Sequence, residues 1–134
     1  MLENPKVNIK IKLSALWTSV LFCYVYGDYF ELYVPEKVDS LLTGENILDS
    51  PTKLLIASLV LAIPAVMIAV SILLSPRINK FLNVFFGILF TLMMLLIGIS
   101  SLTAWYSFYV FLAFLESLIT ILIVWYAWNW PKKS

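Results

Sequence analysis

Four runs of about twenty apolar residues, at 13–34, 54–74, 81–102 and 105–128, occupy most of this 134-residue chain. That is the length a helix needs to cross the hydrocarbon core of a bilayer. The runs are too long and too uniformly apolar for barrel strands, which alternate over about ten residues. Composition agrees: 62% of the residues are hydrophobic and 13% are charged. A water-soluble domain is typically about 45–50% apolar and about 25% charged. A chain this short has too little interior to hide the excess. The expected fold is therefore all-α, a single four-span integral membrane bundle over 1–134, with the lipid bilayer as its first partner. Soluble enzymes, disulfide-stapled secreted scaffolds and nucleic-acid binders are excluded.

The spans are punctuated. Ser50 followed by Pro51 is an N-cap with proline at the first helical position. Pro76 and Pro131 mark the ends of the second and fourth spans. The short link at 101–103 predicts a tight antiparallel hairpin between spans three and four. Segment 35–50 is the only long loop. In it Val34, Val38, Leu41 and Leu42 share one helical face, and Gly44 is placed to end a short helix. Such a helix would be a lid over a mouth or a connector lying on the headgroups.

Charge placement sets an expected direction. Lys6, Lys10, Lys12, Arg77, Lys80, Lys132 and Lys133 flank one set of span ends. The other set has Lys37 and Lys53 among Glu36, Asp39, Glu45 and Asp49. Basic residues collect on the cytoplasmic side, so both termini are expected there, in a multi-pass protein of the cell membrane. Trp125, Trp128 and Trp130 would form the inner aromatic belt, Trp105 and Tyr106 the outer one. The first span is longer than a signal-peptide core and lacks a small-residue cleavage site, so it is read as a membrane span.

Chemistry is narrowed by what is missing. There is no histidine, and Cys23 is the single cysteine, so imidazole catalysis, an internal disulfide and a paired-cysteine redox site are excluded. No metal-ligand cluster or phosphate-cradling glycine loop is present, and neither a metal nor a cofactor is expected.

What remains are three carboxylates within apolar spans: Asp28, Glu31 and Glu116. A charge at mid-bilayer costs about 2.5–3.5 kcal/mol on insertion scales, so such groups face a bundle interior or water. Glu116 falls near the middle of span four, where loss of water favours the neutral acid. Asp28 lies about 7 Å nearer the loop 35–50 side, and Glu31 one turn further, within reach of the headgroups. Polar and small residues repeat at helical spacing on each span. In span one they are Ser14, Trp17, Tyr24, Asp28 and Glu31. In span two they are Ser58, Ala62, Ala65 and Ala69. Span three offers Asn83, Gly87, Thr91, Met94, Gly98 and Ser101, and span four Ala113, Glu116, Ser117, Thr120 and Ala127. These faces are expected to converge on the bundle axis. Residue counting then puts Tyr24, Pro64, Thr91 and Glu116 in one mid-membrane layer, with Pro64 as a kink. The candidate ligand- or proton-binding residues are Tyr24, Asp28, Thr91 and Glu116, with Tyr26, Glu31 and Asn83 as secondary candidates.

The stretch Lys12-Leu-Ser-Ala-Leu-Trp17, the stretch Tyr24-Val-Tyr-Gly-Asp28, and the closing Glu116 with Ile-Val-Trp125-Tyr-Ala-Trp128 resemble a bacterial family of small four-span membrane proteins catalogued as a domain of unknown function. The resemblance runs over 12–130. It implies a four-helix membrane fold, a bacterial inner-membrane location, and Tyr24, Tyr26, Asp28 and Glu116 as the positions to test. The family's third span resembles Asn, Gly, then His-Thr; here Asn83, Gly87, Phe90 and Thr91 stand, so phenylalanine occupies the histidine position.

Three functions fit these residues. The first is a proton-linked small-molecule binder or transporter, its carboxylates suited to a cationic or polar ligand; with no internal repeat, a homodimer would supply a second half. The second is a membrane enzyme using two acids in acid–base chemistry on a lipid-soluble substrate. The third is an accessory subunit packed against a larger membrane protein. A cavity between Asp28 and Glu116 separates the first two from the third, which predicts a filled interior with both acids hydrogen-bonded.

Overall fold

The computed structural model of the chain describes residues 1–132; Lys133, one of the seven clustered basic residues, and Ser134 lie outside the described residues. The chain order is α1 (Ile9–Glu31), α2 (Lys37–Thr43), α3 (Pro51–Leu73), α4 (Pro76–Ser100), a single 3-10 turn (Ala104–Tyr106) and α5 (Ser107–Trp128). Four segments are long and apolar enough to span a membrane: α1, α3, α4 and α5 with its preceding turn. The fold is an all-α, membrane-type four-helix bundle.

Capping chemistry sets the helix ends. The Asn8 side chain accepts from the Lys10 N–H at 2.8 Å, so α1 begins at Ile9 and takes Lys10 and Lys12 into the helix. It stops at Glu31, before residue 34 where the apolar run ends. Pro35 disfavours the helical conformation at Val34, and the chain turns instead. Ser50 caps α3 by accepting from the Lys53 N–H at 3.2 Å, with Pro51 just inside. Gly44 ends α2 with φ +80°, a left-handed conformation that glycine adopts without a Cβ clash.

The long helices alternate in direction, so the ends beside α2 are the C-termini of α1 and α4 and the N-termini of α3 and α5. Cross-helix contacts fix this: Tyr106 bonds Glu31 at that end, and Lys10 reaches the Ile72 carbonyl at the other. α1 packs on both α3 and α5, and α5 packs extensively on α4. A Cβ on Gly87 would sit 2.6 Å from Val124 Cγ2, so only glycine lets α4 and α5 approach this closely. The consecutive helices α3 and α4 touch little.

Their ties lie at the end away from α2. Asn79 Nδ2 donates to the Ser71 carbonyl at 2.7 Å. Asn83 donates to Asn79 Oδ1 at 2.6 Å and accepts from Trp17 Nε1 at 2.7 Å and from Ser71. This buried network joins α1, α3 and α4, and it satisfies groups that would otherwise be costly in an apolar interior. Trp17, Leu13, Val20, Phe90 and Ile123 fill the core around it.

One helix is turned differently from the expectation. Ser58, Ala62, Ala65 and Ala69 of α3 face outward, and Pro64, Met67 and Ser71 are its buried residues. The outward stripe is small, but the inward face is the one that matches Trp17 and Asn83 in shape and hydrogen bonding. Hydrogen bonding and packing decide the rotation of a membrane helix along with residue size. α3 runs through Pro64 without interruption.

Candidate functional site

Where α3 and α4 diverge, toward the α2 end, a cavity of about 310 Å³ opens in the bundle. Every spanning helix contributes: Tyr24, Gly27 and Asp28 of α1; Ala57, Val60 and Leu61 of α3; Met93, Met94 and Ile97 of α4; Tyr109, Ala113 and Glu116 of α5. Leu48, from the segment between α2 and α3, completes the wall. The spacing explains the two acid-bearing faces. Tyr24 and Asp28 are one turn apart, and Tyr109, Ala113 and Glu116 follow the i, i+4, i+7 rule. The Tyr109 ring packs against Gly27, 3.6 Å from where a Cβ would be.

Glu116 is 4% exposed, while Asp28 is exposed at the mouth. Among the described residues neither acid has an ion-pair or hydrogen-bond partner, because the two lysines of this end are engaged elsewhere. Lys37 Nζ lies 3.0 Å from Glu31 Oε1, and Lys53 Nζ lies 2.8 Å from Asp49 Oδ1. The Tyr24 side chain is 6% exposed, and its hydroxyl is buried without a hydrogen-bond partner. A buried hydroxyl left unpaired costs roughly 1–3 kcal/mol. Chemically the site is an apolar chamber with one deep acid and one acid at the mouth.

The sequence candidates divide accordingly. Tyr24, Asp28 and Glu116 line this one cavity. Thr91 does not: its Oγ1 sits 2.7 Å from the Gly87 carbonyl and 2.6 Å from Thr120 Oγ1. It shares the expected depth of Glu116, but the close α4–α5 approach at Gly87 turns it to Thr120, one turn further along α5. Asn83 belongs to the buried network with Trp17. Tyr26 is exposed on the outer face of α1, stacked with Phe22 and Phe30. Glu31 holds Lys37 of α2 and accepts from the Tyr106 hydroxyl at 3.3 Å. Phe90, at the position where histidine was noted, is 1% exposed and packs against the rings of Trp17 and Tyr24. Tyr109 was missed, although its place seven residues before Glu116 puts it on the same face. A second, larger groove of about 420 Å³ lies between the outer faces of α4 and α5, from Ile88 to Asn129, and contains no acid.

Four spanning helices around a buried acid define a multi-pass membrane protein of the helical-bundle class. Within that class, the chain belongs to the Family of unknown function (DUF6326), whose model matches residues 3–134. No curated protein and no solved structure matches it.

Proposed function

We propose that the protein is a proton-linked binder or transporter of a small cationic molecule, with the ligand held between Asp28 and Glu116. The observation that carries this reading is the buried Glu116, without a hydrogen-bond or ion-pair partner among the described residues, in a cavity that Asp28 also lines. A packing seam would have paired that acid. An ammonium entering the chamber meets Asp28 at the mouth and Glu116 inside, while its apolar body lies against Leu61, Met93, Met94 and Ile97. As the cation settles, neutral Glu116 gives up its proton to water. The charge inside the chamber is then unchanged, which avoids the cost of an uncompensated charge in a low-dielectric interior. The basic residues at the far end support an orientation with both termini in the cytoplasm and the cavity mouth outside. An accessory role is disfavoured by the open cavity and the free acids.

Diisopropylcarbodiimide adds only to protonated carboxylic acids and is small and apolar. In the detergent-solubilised protein it should modify Glu116, detected by peptide mass spectrometry, and phenethylamine should lower the total modified fraction, N-acylurea plus any phenethylamide, in a concentration-dependent way. Unprotected labelling at saturating amine, or no labelling of Glu116, overturns the reading.

A further inference from the structure

One backbone carbonyl of α3, in a residue beside the cavity, has no helical donor. Pro64 has no N–H, so the carbonyl of residue 60, four positions earlier, has no helical donor. In a helix the N–H of one residue and the carbonyl four before it lie on the same angular face. Pro64 is buried, so that face of α3 points inward, and Val60 is one of the residues that line the cavity. Depth agrees as well. Val60 lies nine residues inside the start of α3 at Pro51, and Glu116 lies nine residues inside the start of α5 at Ser107. Both starts are at the α2 end, so at 1.5 Å per residue each is about 14 Å in. Carbonyls point toward a helix's C-terminus, and for α3 that is inward from Val60.

Resting on the reading above, we infer that Pro64 frees the Val60 carbonyl as an acceptor for the ligand's ammonium, and that the site is selective for primary amines over quaternary ammonium ions. Glu116, Asp28 and the Val60 carbonyl are acceptors on three different helices, and a primary ammonium has three N–H donors to match them. A quaternary ammonium has the same charge but no donor. It would satisfy the charge requirement and leave the acceptors unpaired. Sites built from hydrogen-bonding groups reject analogues that lack the matching donors for this reason. Pro64 itself does not line the cavity; it acts through Val60.

The test measures binding of phenethylamine and of its N,N,N-trimethyl analogue to purified wild-type protein and to Pro64→Ala and Pro64→Val. Either variant restores the N–H and closes the helical bond to Val60; the valine keeps most of the proline's volume. Wild type should prefer the primary amine by at least about tenfold, the worth of the Val60 hydrogen bond alone. Both variants should lose about tenfold for phenethylamine and bind the trimethyl analogue within about twofold of wild type. Unchanged phenethylamine binding in both variants overturns the inference and leaves the cation site standing. Equal losses for both probes also overturn it, since the proline would then act only on the shape of α3. If wild type binds neither probe, the cation site itself fails.

Discussion

At Glu116 the argument from composition and the argument from geometry meet: a carboxylic acid in the middle of an apolar span, 4% exposed, faces a chamber rather than a partner. Its inward position was legible because a carboxylate in mid-span is costly against lipid. That Tyr24 and Asp28 share a face of α1 was legible from their spacing. Thr91 and Asn83 were not, because helical spacing gives the face a residue occupies and leaves open which neighbour that face meets. Their partners, Thr120 and Trp17, are 29 and 66 positions away. Two substitutions follow at this scale. Asn83→Leu strands the buried Trp17 N–H and should destabilise the protein by about 1–3 kcal/mol. Gly87→Ala forces a methyl to 2.6 Å from Val124 Cγ2, on a β-branched side chain with little freedom. It should also cost about 1–3 kcal/mol, by separating α4 from α5. Gly27→Ala meets Leu112 and Tyr109 at 3.5 Å and beyond, and should be tolerated. Thermal unfolding in detergent ranks the three; a Gly87→Ala protein as stable as Gly27→Ala would contradict the close approach.

Among the helices, number and approximate limits were readable from hydropathy and capping residues, and the rotation of α3 was not. Its small stripe turned outward because Ser71 and Met67, not the alanines, match the surface of α1 and α4. The short helix α2 was signalled by Val38, Leu41 and Leu42 and by Gly44. These apolar residues stay 48%, 45% and 81% exposed, so the bundle itself does not cover them. What fastens α2 to α1 is the half-buried Lys37–Glu31 pair, supported by Tyr106. An ion pair of that exposure contributes no more than about 1 kcal/mol. Lys37→Ala should therefore speed amide hydrogen exchange in 37–43 by a few-fold and leave the middle of α1 and α3 unchanged. Unaltered exchange in α2 would show that it is held by something else.

For the molecule as a whole, the arrangement has one closed end and one open end. The Asn79–Asn83–Trp17 network locks α1, α3 and α4 together away from α2, and the cavity opens where α3 and α4 part. The proposed orientation places the open end outside the cell. In a Cys23→Ser background, cysteines at Ser40 and Asn4 should react with a membrane-impermeant maleimide from outside and from inside respectively. Reaction of Asn4→Cys from outside would reverse the orientation. The central proposal, that a cation displaces the Glu116 proton, is read most directly by titration calorimetry of phenethylamine in buffers of different ionisation enthalpy, which counts protons released on binding. Wild type should release about one proton per amine bound at a pH where neutral Glu116 predominates, and Glu116→Gln should release none. Binding by wild type without proton release, or with the same release from Glu116→Gln, would contradict it.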